Sequence, residues 1–346
     1  MILIVGPDND PHISRVAARL EELGADYLRF NPEHFPAKCE IIISYERTGR
    51  ACGLLRYRGR EVGLEKITAA WDRRRARPYP AGDLDPEQRW WVEETCTLWL
   101  AELWEILDCL WIPNKPLADR DPYRKQEPTD HLIAPPPVLA RASPYNKMHQ
   151  LAVAARMGFR IPRTAICNSP DAFLEFYSRN KGQVVTKAVR ALRIYRGGER
   201  YSAFTLPVNR REAGRYRAVR YAPVIVQEYV PKQVELRVTV VGSKVFAAEI
   251  RSQTNRAARH DWRRDRDIED ASYYKCYNLP PDVELRCVHY VKALGLCFGA
   301  IDMILTPRGE YVFLEINPNG QWAWIQDLTG LPIAEAIADL LVGRST

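Results

Sequence analysis

The 346 residues are 46% hydrophobic and 27% charged, enough apolar material for two or three packed lobes and a balance that excludes gross disorder. No apolar run has the length of a membrane span, and the eight cysteines show no CxxC pair and no metal-like spacing against the six histidines, so they read as core thiols. The net charge of +7 is modest, but its arginines gather at Arg73 to Arg77, Arg190 to Arg200, Arg210 to Arg220 and Arg251 to Arg266. Such clusters leave open an anionic partner (nucleotide phosphates, an acidic peptide or nucleic acid) beside the plainer alternative of solvated loops.

The opening MILIVG lacks a basic n-region and a cleavage site, so it predicts a buried first strand and not a signal peptide; a cytoplasmic location follows as the default. Apolar positions from Ile13 to Leu23 recur at helical spacing, Gly24 stops them, and Ala25 to Phe30 is strand-like. This strand–helix–strand start predicts a small α/β lobe with a parallel sheet. The IIIS run and GLLRYRGREV add strands. GPDNDPH is not GxGxxG, so no dinucleotide site is expected there. Asp85 to Leu110 reads as one long helix rich in tryptophan, a core or subunit-interface element, with Pro86 in its first turn and Pro113 beyond its end. A homodimer is expected on that ground.

Residues 114–144 carry many prolines and charges and read as a linker or loop. Periodicity resumes in NKMHQLAVAARMGF, closed by Gly158. IPRTAI follows as an edge strand, and SPDAFLEFYS as a helix capped by Ser169. QVVTK is a strand ending in Lys187 before a basic, glycine-containing loop. VIVQEYV and VELRVTVVGSKVFAAEIRSQ are β-rich, with Gly242-Ser243 as a hairpin turn. FGAIDMIL and YVFLEINP are strands around Arg308-Gly309, and LPIAEAIADLLV closes the chain as a helix. The lobes are thus drawn at 1–113, 145–230 and 231–346, with 114–144 as the connection.

The last hairpin carries the chemistry. Asp302 and Glu315 each interrupt an apolar strand, where an unpaired charge is costly, and Asn317 shares the face of Glu315 because residues two apart on a strand point the same way. Two carboxylates and an amide are hard oxygen donors suited to Mg²⁺ held together with phosphate oxygens. A lysine at a strand end, such as Lys187, can reach phosphates that loop amides and Arg193 or Arg196 cover. Glu235 could accept from ribose hydroxyls, Arg237 shares its strand face, and Arg251 could enter the same cavity.

In their order along the chain, these elements resemble the ATP-grasp superfamily, and most closely the microviridin-type ribosomal peptide maturases, or graspetide synthetases. The narrower likeness rests on WDRRR, WIPNKP, YNKMHQLAVAARMGFRIPRT, EIRSQ with DWR at Asp261 to Arg263, and NPNGQWAWIQDLTGLPIAEAIADLL. It covers nearly the whole chain. The resemblance implies an α/β, partly α+β, ATP-grasp architecture in which two lobes clasp ATP. It implies that Lys147 and Lys187 contact ATP phosphates; that Gln227, Glu228 and the Val230 backbone hold adenine; and that Glu235 holds ribose. Asp302, Glu315 and Asn317 would bind two Mg²⁺, and Arg237 and Arg251 would stabilise an acyl phosphate. The 114–144 segment looks longer than is usual in the family.

The implied activity is an ADP-forming ligase that activates Asp or Glu side chains of a ribosomal precursor peptide. Thr or Ser hydroxyls or Lys amines would then close ω-ester or ω-amide rings. Trp71, Arg73, Arg74, Asp261, Trp262, Arg263 and Tyr273 are the candidates for contacting leader or core peptide, each with a solvated loop as the alternative. His260 and Asp261 are candidates for the general base. The competing reading is a RimK-like ligase joining an amino acid or small amine to a carboxylate. Neither nucleic acid nor a membrane is an expected partner.

Overall fold

The computed structural model describes residues 1–47, 51–74, 76–80, 82–114, 143–189, 193–196, 199–202, 204–255, 258–264 and 271–344. The expected linker, save its ends, lies outside the described residues, as do Arg75, Arg190 and the side chains of Arg193 and Arg196.

The amino-terminal lobe begins with β1 (Ile2–Val5), buried along its whole length. Helix α1 (Pro11–Glu22) follows, with Asp10 as its cap: the carboxylate accepts from the amides of His12 and Ile13, and Pro11 takes the first turn. Next come β2 (Tyr27–Phe30), β3 (Cys39–Tyr45), β4 (Ala51–Tyr57), β5 (Arg60–Gly63) and β6 (Ala69–Asp72). Helix α2 (Pro86–Ile106) and β7 (Leu110–Ile112) complete it. Strands β2-β1-β6-β7 form the parallel sheet that the strand–helix–strand start predicts, while β3, β4 and β5 form a separate antiparallel one.

The expected helix from Asp85 to Leu110 is shorter. Leu107 has extended backbone at φ −69°, ψ 112°, and the next residues pair beside β6, which buries Trp111 and Ile112. A short apolar strand and one more helical turn look alike in hydrophobic pattern, and the sheet edge decides for the strand. Along α2, Cys96, Leu100, Leu103 and Trp104 are buried, whereas Trp90, Trp91, Leu98 and Ile106 are exposed.

Helix α3 (Lys147–Arg156) is capped by Asn146. It leads to β8 (Thr164–Cys167), α4 (Pro170–Arg179), β9 (Val184–Lys187) and the hairpin of β10 (Arg193–Arg196) and β11 (Glu199–Ser202). After β12 (Leu206–Pro207) and α5 (Arg210–Ala213) comes β13 (Val224–Glu228). Apart from the two-stranded β10-β11 hairpin, these strands form a sheet in the order β12-β9-β13-β8, so IPRTAI is an edge strand as expected. Its small core gathers Phe173, Val184, Val208, Ala213, Val219 and Val226.

The remaining strands are β14 (Val234–Val241), β15 (Lys244–Ile250) and β16 (Tyr274–Tyr277), then helix α6 (Pro281–Ala293), β17 (Phe298–Leu305) and β18 (Tyr311–Asn317). They form an antiparallel sheet, β16-β15-β14-β17-β18. Gly242, with φ 60°, makes the two-residue turn between β14 and β15, a conformation that glycine adopts at no steric cost. One face of this sheet packs on α6 through Phe159, Tyr290 and Phe313, and Ala154 of α3 belongs to the same core. Helix α3, grouped with the central lobe when the sequence is divided, therefore packs with the carboxyl-terminal sheet. Helices α7 (Ala323–Thr329) and α8 (Ile333–Leu341) cover the other face. Ile333, Ile337 and Leu341 share one core with Ile2, Ile4 and Trp71 of the first lobe and with Val241 and Phe298 of the last sheet. Fully burying such a side chain stabilises by about 1.5–3 kcal/mol, so α8 fastens the two lobes together. Among the described residues no helix is long and apolar enough to cross a membrane.

A cleft between two sheets as the candidate active site

A cleft of about 880 Å³, counting space open to solvent, runs between the β9/β13 sheet and the β14/β17/β18 sheet. Val185 and Gln227 line one wall, Ile304 and Leu314 the other, and Phe204 and Tyr229 add aromatic surface. The charged lining is what separates it from an ordinary apolar slot.

Register explains how the acids meet. Asp302 on β17 stands directly opposite Glu315 on β18, and Asp302 also stands opposite Arg237 on β14. Directly opposed residues share a sheet face, and Asn317 joins Glu315 by the two-residue period. Arg237 Nη1 donates to Asp302 Oδ1 at 2.8 Å, and Asn317 Nδ2 donates to Asp302 Oδ2 at 3.2 Å. Lys147, at the start of α3, reaches Glu315 Oε2 at 3.0 Å. Burial raises the pKa of Asp302, Arg237 opposing it. For Glu315 burial acts in the same direction, but Lys147 and Lys187 outweigh it and hold the carboxyl below its usual range. The ammonium of Lys187 is pulled down by burial while Glu315 resists.

This donor set fits a hard divalent cation. Two carboxylates and an amide oxygen on one face are ligands that Mg²⁺ takes, leaving other coordination positions to phosphate oxygens and water. A cation there would also relieve the buried charge of Asp302, which Arg237 alone does not fully compensate. Among the described residues no group of three or more His, Cys, Asp or Glu side chains is placed to hold a metal ion, so a cation here would rest on two carboxylates and the Asn317 amide.

At the other end of the cleft, Glu235 is buried and pairs with Lys232 at 3.0 Å. Burial pushes its carboxyl up, Lys232 opposing. Lys232 also donates to His260 O at 3.0 Å, tying the 258–264 segment to the strand. Gln227 Nε2 donates to Thr164 Oγ1 at 2.9 Å. The carboxylate of Glu228 is held by Arg163, accepting from its Nε at 2.6 Å and from its amide at 3.0 Å. Its side chain is thus committed to β8, although the residue itself lines the cleft.

Of the expected site residues, Lys147, Lys187, Gln227, Glu228, Val230, Glu235, Asp302 and Glu315 all line this cleft. Arg237 and Asn317 touch it through Asp302. Arg251 stands apart, with its Nε 2.8 Å from Glu249 Oε1. The peptide candidates divide. Trp71 is buried at 1% exposure in the first lobe's core, so its ring has no surface for a peptide. Arg73 is buried too, whereas Arg74 is exposed. Asp261, Trp262 and Arg263 line the cleft. Asp261 is buried and spends both oxygens on Arg263, at 2.8 and 2.7 Å, and on the Thr205 amide at 3.0 Å. Burial would raise its pKa, but those bonds lower it, so a base role has no support here. Tyr273 is partly buried beside Asn255, 3.5 Å from its Nδ2.

Gln150 has no part in the sequence reading, yet it organises the site. It is buried; its Nε2 donates to Ile316 O at 2.9 Å and to Pro144 O at 2.7 Å, and its Oε1 accepts from Ile316 N–H at 3.3 Å. Ile316 lies between Glu315 and Asn317 on an edge strand, so this amide closes the strand's outer hydrogen bonds. Lys147 and Gln150, three residues apart, share a helix face; that spacing was the signal available.

Comparison with known proteins places the fold. Residues 1–116 match the MvdD pre-ATP grasp domain, and residues 144–341, more than half of the chain, match the RimK-like ATP-grasp domain. The chain belongs to the RimK-like ATP-grasp family. Within that family it is similar, at TM-score 0.84 and 29% identity, to a Chryseobacterium gregarium RiPP-associated ATP-grasp ligase in complex with ADP and a leader and core peptide. That likeness covers 100% of this chain and 97% of the other. Macrocyclase MdnC from Microcystis aeruginosa MRC, bound with precursor peptide MdnA, is similar at TM-score 0.78 and 28% identity, over 99% of both chains. A probable alpha-L-glutamate ligase of Klebsiella pneumoniae is 25% identical over 58% of this chain. This ATP-grasp chain spans 64% of the length of that curated relative.

Proposed function

We propose that this ATP-grasp protein is an ADP-forming ligase that joins side chains of a ribosomal precursor peptide. The observation that carries the ligase half is the opposition of Asp302, Glu315 and Arg237 on neighbouring strands, with Lys147 and Lys187 facing the same cleft. Similarity along nearly the whole chain to ligases and macrocyclases solved with precursor peptides supports the peptide half.

In this reading ATP lies along the cleft. Adenine fits between the apolar walls near Gln227, Glu228 and the Val230 backbone, and ribose hydroxyls donate to Glu235. Lys147 and Lys187 neutralise phosphate oxygens. Asp302, Glu315 and Asn317 hold Mg²⁺, two ions in the fullest form of the proposal, which would supply charge neutralisation at the phosphates. A substrate Asp or Glu carboxylate attacks the γ-phosphorus; the bond to the bridging oxygen breaks, giving an acyl phosphate and ADP. Arg237 then faces the charge that builds on the transferred group. A Thr or Ser hydroxyl, or a Lys amine, attacks the acyl carbon, loses its proton and expels phosphate, leaving an ω-ester or ω-amide. Trp262 and Arg263 are the peptide candidates that reach the cleft; Arg251, Arg74 and Tyr273 await a substrate contact.

The test is mass. Incubated with ATP, Mg²⁺ and a Thr/Asp/Glu-rich precursor carrying its leader, the protein is expected to remove one water per bond formed and to release ADP. An increase in mass by added amino acids would overturn the macrocyclase reading in favour of the glutamate-ligase kind. Glu315→Ala should abolish either product, and a fully active variant would remove the metal assignment. The reading implies a cytoplasmic enzyme, and the exposed Trp90, Trp91 and Leu98 of α2 support a homodimer, which its mass in solution checks.

A further inference from the structure

In the parallel sheet the chain runs from β1 to β2 on one side and later returns to β6 on the other side of β1. The order therefore reverses between β1 and β6, the point where open α/β sheets usually leave a ligand crevice beyond the carboxyl ends of the strands. Here the chain's own loop after β18 enters that crevice. Asp10 and His12 lie past the end of β1, and Asp72 and Arg73 at the end of β6.

The contacts run from both strand ends to the loop. The Trp322 amide donates to His12 Nε2 at 3.1 Å, and the indole packs edge-on against the imidazole with centroids 5.0 Å apart. A backbone amide can only donate, which makes Nε2 the acceptor and assigns the ring proton to Nδ1. That nitrogen lies 2.9 Å from Asp10 Oδ1, which accepts its proton, and Arg73 Nη2 stands 3.0 Å from the same nitrogen without donating to it. Arg73 Nη1 donates to Asn319 O at 3.2 Å, and Asn319 Nδ2 donates back to Asp72 O at 2.5 Å. The guanidinium stands 3.6 Å from Asp10 Oδ1. Asp10, His12 and Arg73 are 4%, 5% and 4% exposed, and Trp322 is fully buried. Three buried polar side chains at one junction are expensive unless each is held.

What the loop does next gives the junction its meaning. Between Asn319 and Trp322, Gln321 O accepts from Arg237 Nη2 at 3.0 Å, while Arg237 Nη1 holds Asp302. At the loop's start is Asn317. We propose that Asp10, His12 and Arg73 are positioning residues: from the amino-terminal lobe they set the 317–322 loop, and through it the aim of Arg237 and Asn317 into the cleft. The lobe acts on the chemistry through backbone it grips, not through a ligand it binds.

The activity arm of the test rests on the ligase reading; the structural arm does not. In His12→Gln the side-chain carbonyl takes the place of Nε2 and still accepts from Trp322. In His12→Asn the amide matches Nδ1, keeps Asp10 and leaves Trp322 N–H without its acceptor. Amide hydrogen exchange over residues 317–322 needs no substrate: it should rise in His12→Asn and stay near wild type in His12→Gln. With ATP and precursor, kcat should fall roughly tenfold to a hundredfold in His12→Asn, with KM for ATP little changed, and His12→Gln should recover most of it. Equal loss in both variants would reduce the junction to plain packing and overturn the proposal, as would unchanged exchange in His12→Asn. Altered exchange in a protein whose wild type modifies no peptide would sink the ligase reading while sustaining the positioning role.

Discussion

Replacing Gln150 with leucine keeps nearly the same volume and removes three hydrogen bonds, so the cost can be worked out group by group. In Gln150→Leu both backbone groups of Ile316 lose their partner on the outer side of the edge strand, in a place where the side chain is only 2% exposed. An unsatisfied buried donor or acceptor costs about 1–3 kcal/mol. Two of them, partly relieved if water enters beside Pro144, should destabilise the protein by about 2–4 kcal/mol. The loss is local to the site, because Lys147 shares the helix face of Gln150 and meets Glu315 next door. Denaturant unfolding should therefore show a lower midpoint, and ADP release should require more Mg²⁺ for half-maximal rate. A variant within about 0.5 kcal/mol of wild type, with an unchanged Mg²⁺ requirement, would refute the claim that this amide holds β18 and its proposed metal ligands in place.

At Gly320 a Cβ would lie 2.5 Å from Ala300 Cβ and 2.7 Å from Arg237 Nη2; Gly320→Ala should push the guanidinium off Asp302 and lower kcat roughly tenfold or more, read from ADP release at saturating ATP. The pKa of His12 is lowered, chiefly by burial and against the pull of Asp10. The unfolded chain then binds the extra proton first, so this residue's contribution is complete above about pH 6.5 and falls away as the pH drops below it. Unfolding of wild type and His12→Gln compared across pH 7.5 to 5 (about the range His titrates) should show wild type losing ground to the variant on the acid side; parallel curves would mean that His12 is not buried in its neutral form.

Much of the fold was legible because its elements carry local signals: the Ser169 cap, the Gly242 turn, and apolar strands broken by Asp302 and Glu315. Register did the rest at the proposed metal site, since two acids at matching positions of one hairpin have to face each other. What escaped were contacts between segments far apart in sequence. Asp10 and His12 looked like part of a loop that failed to be a GxGxxG motif, and nothing near them announces Trp322, some three hundred residues on. Trp71 and Arg73 looked like surface because tryptophan beside arginines suits peptide contact; the neighbouring lobe buries both. The 107–112 turn into a strand was hidden because tryptophan and leucine suit helix and sheet alike.

The separateness of the small core around Phe173 and Val226 bears on motion. None of its buried residues belongs to the cores that α8 and α6 build, so a lid-like tilt of that sheet about residues 157–163 and 229–233 would break little apolar contact. The other two lobes, riveted through α8, would stay put as its base. Lys187 and Gln227 travel with the lid, while Lys147, Asp302 and Glu315 remain on the base. Two lysines of equal charge facing one cleft thus stand on different bodies, and in the proposed ATP complex a closure would press both ammonium groups on the same phosphates.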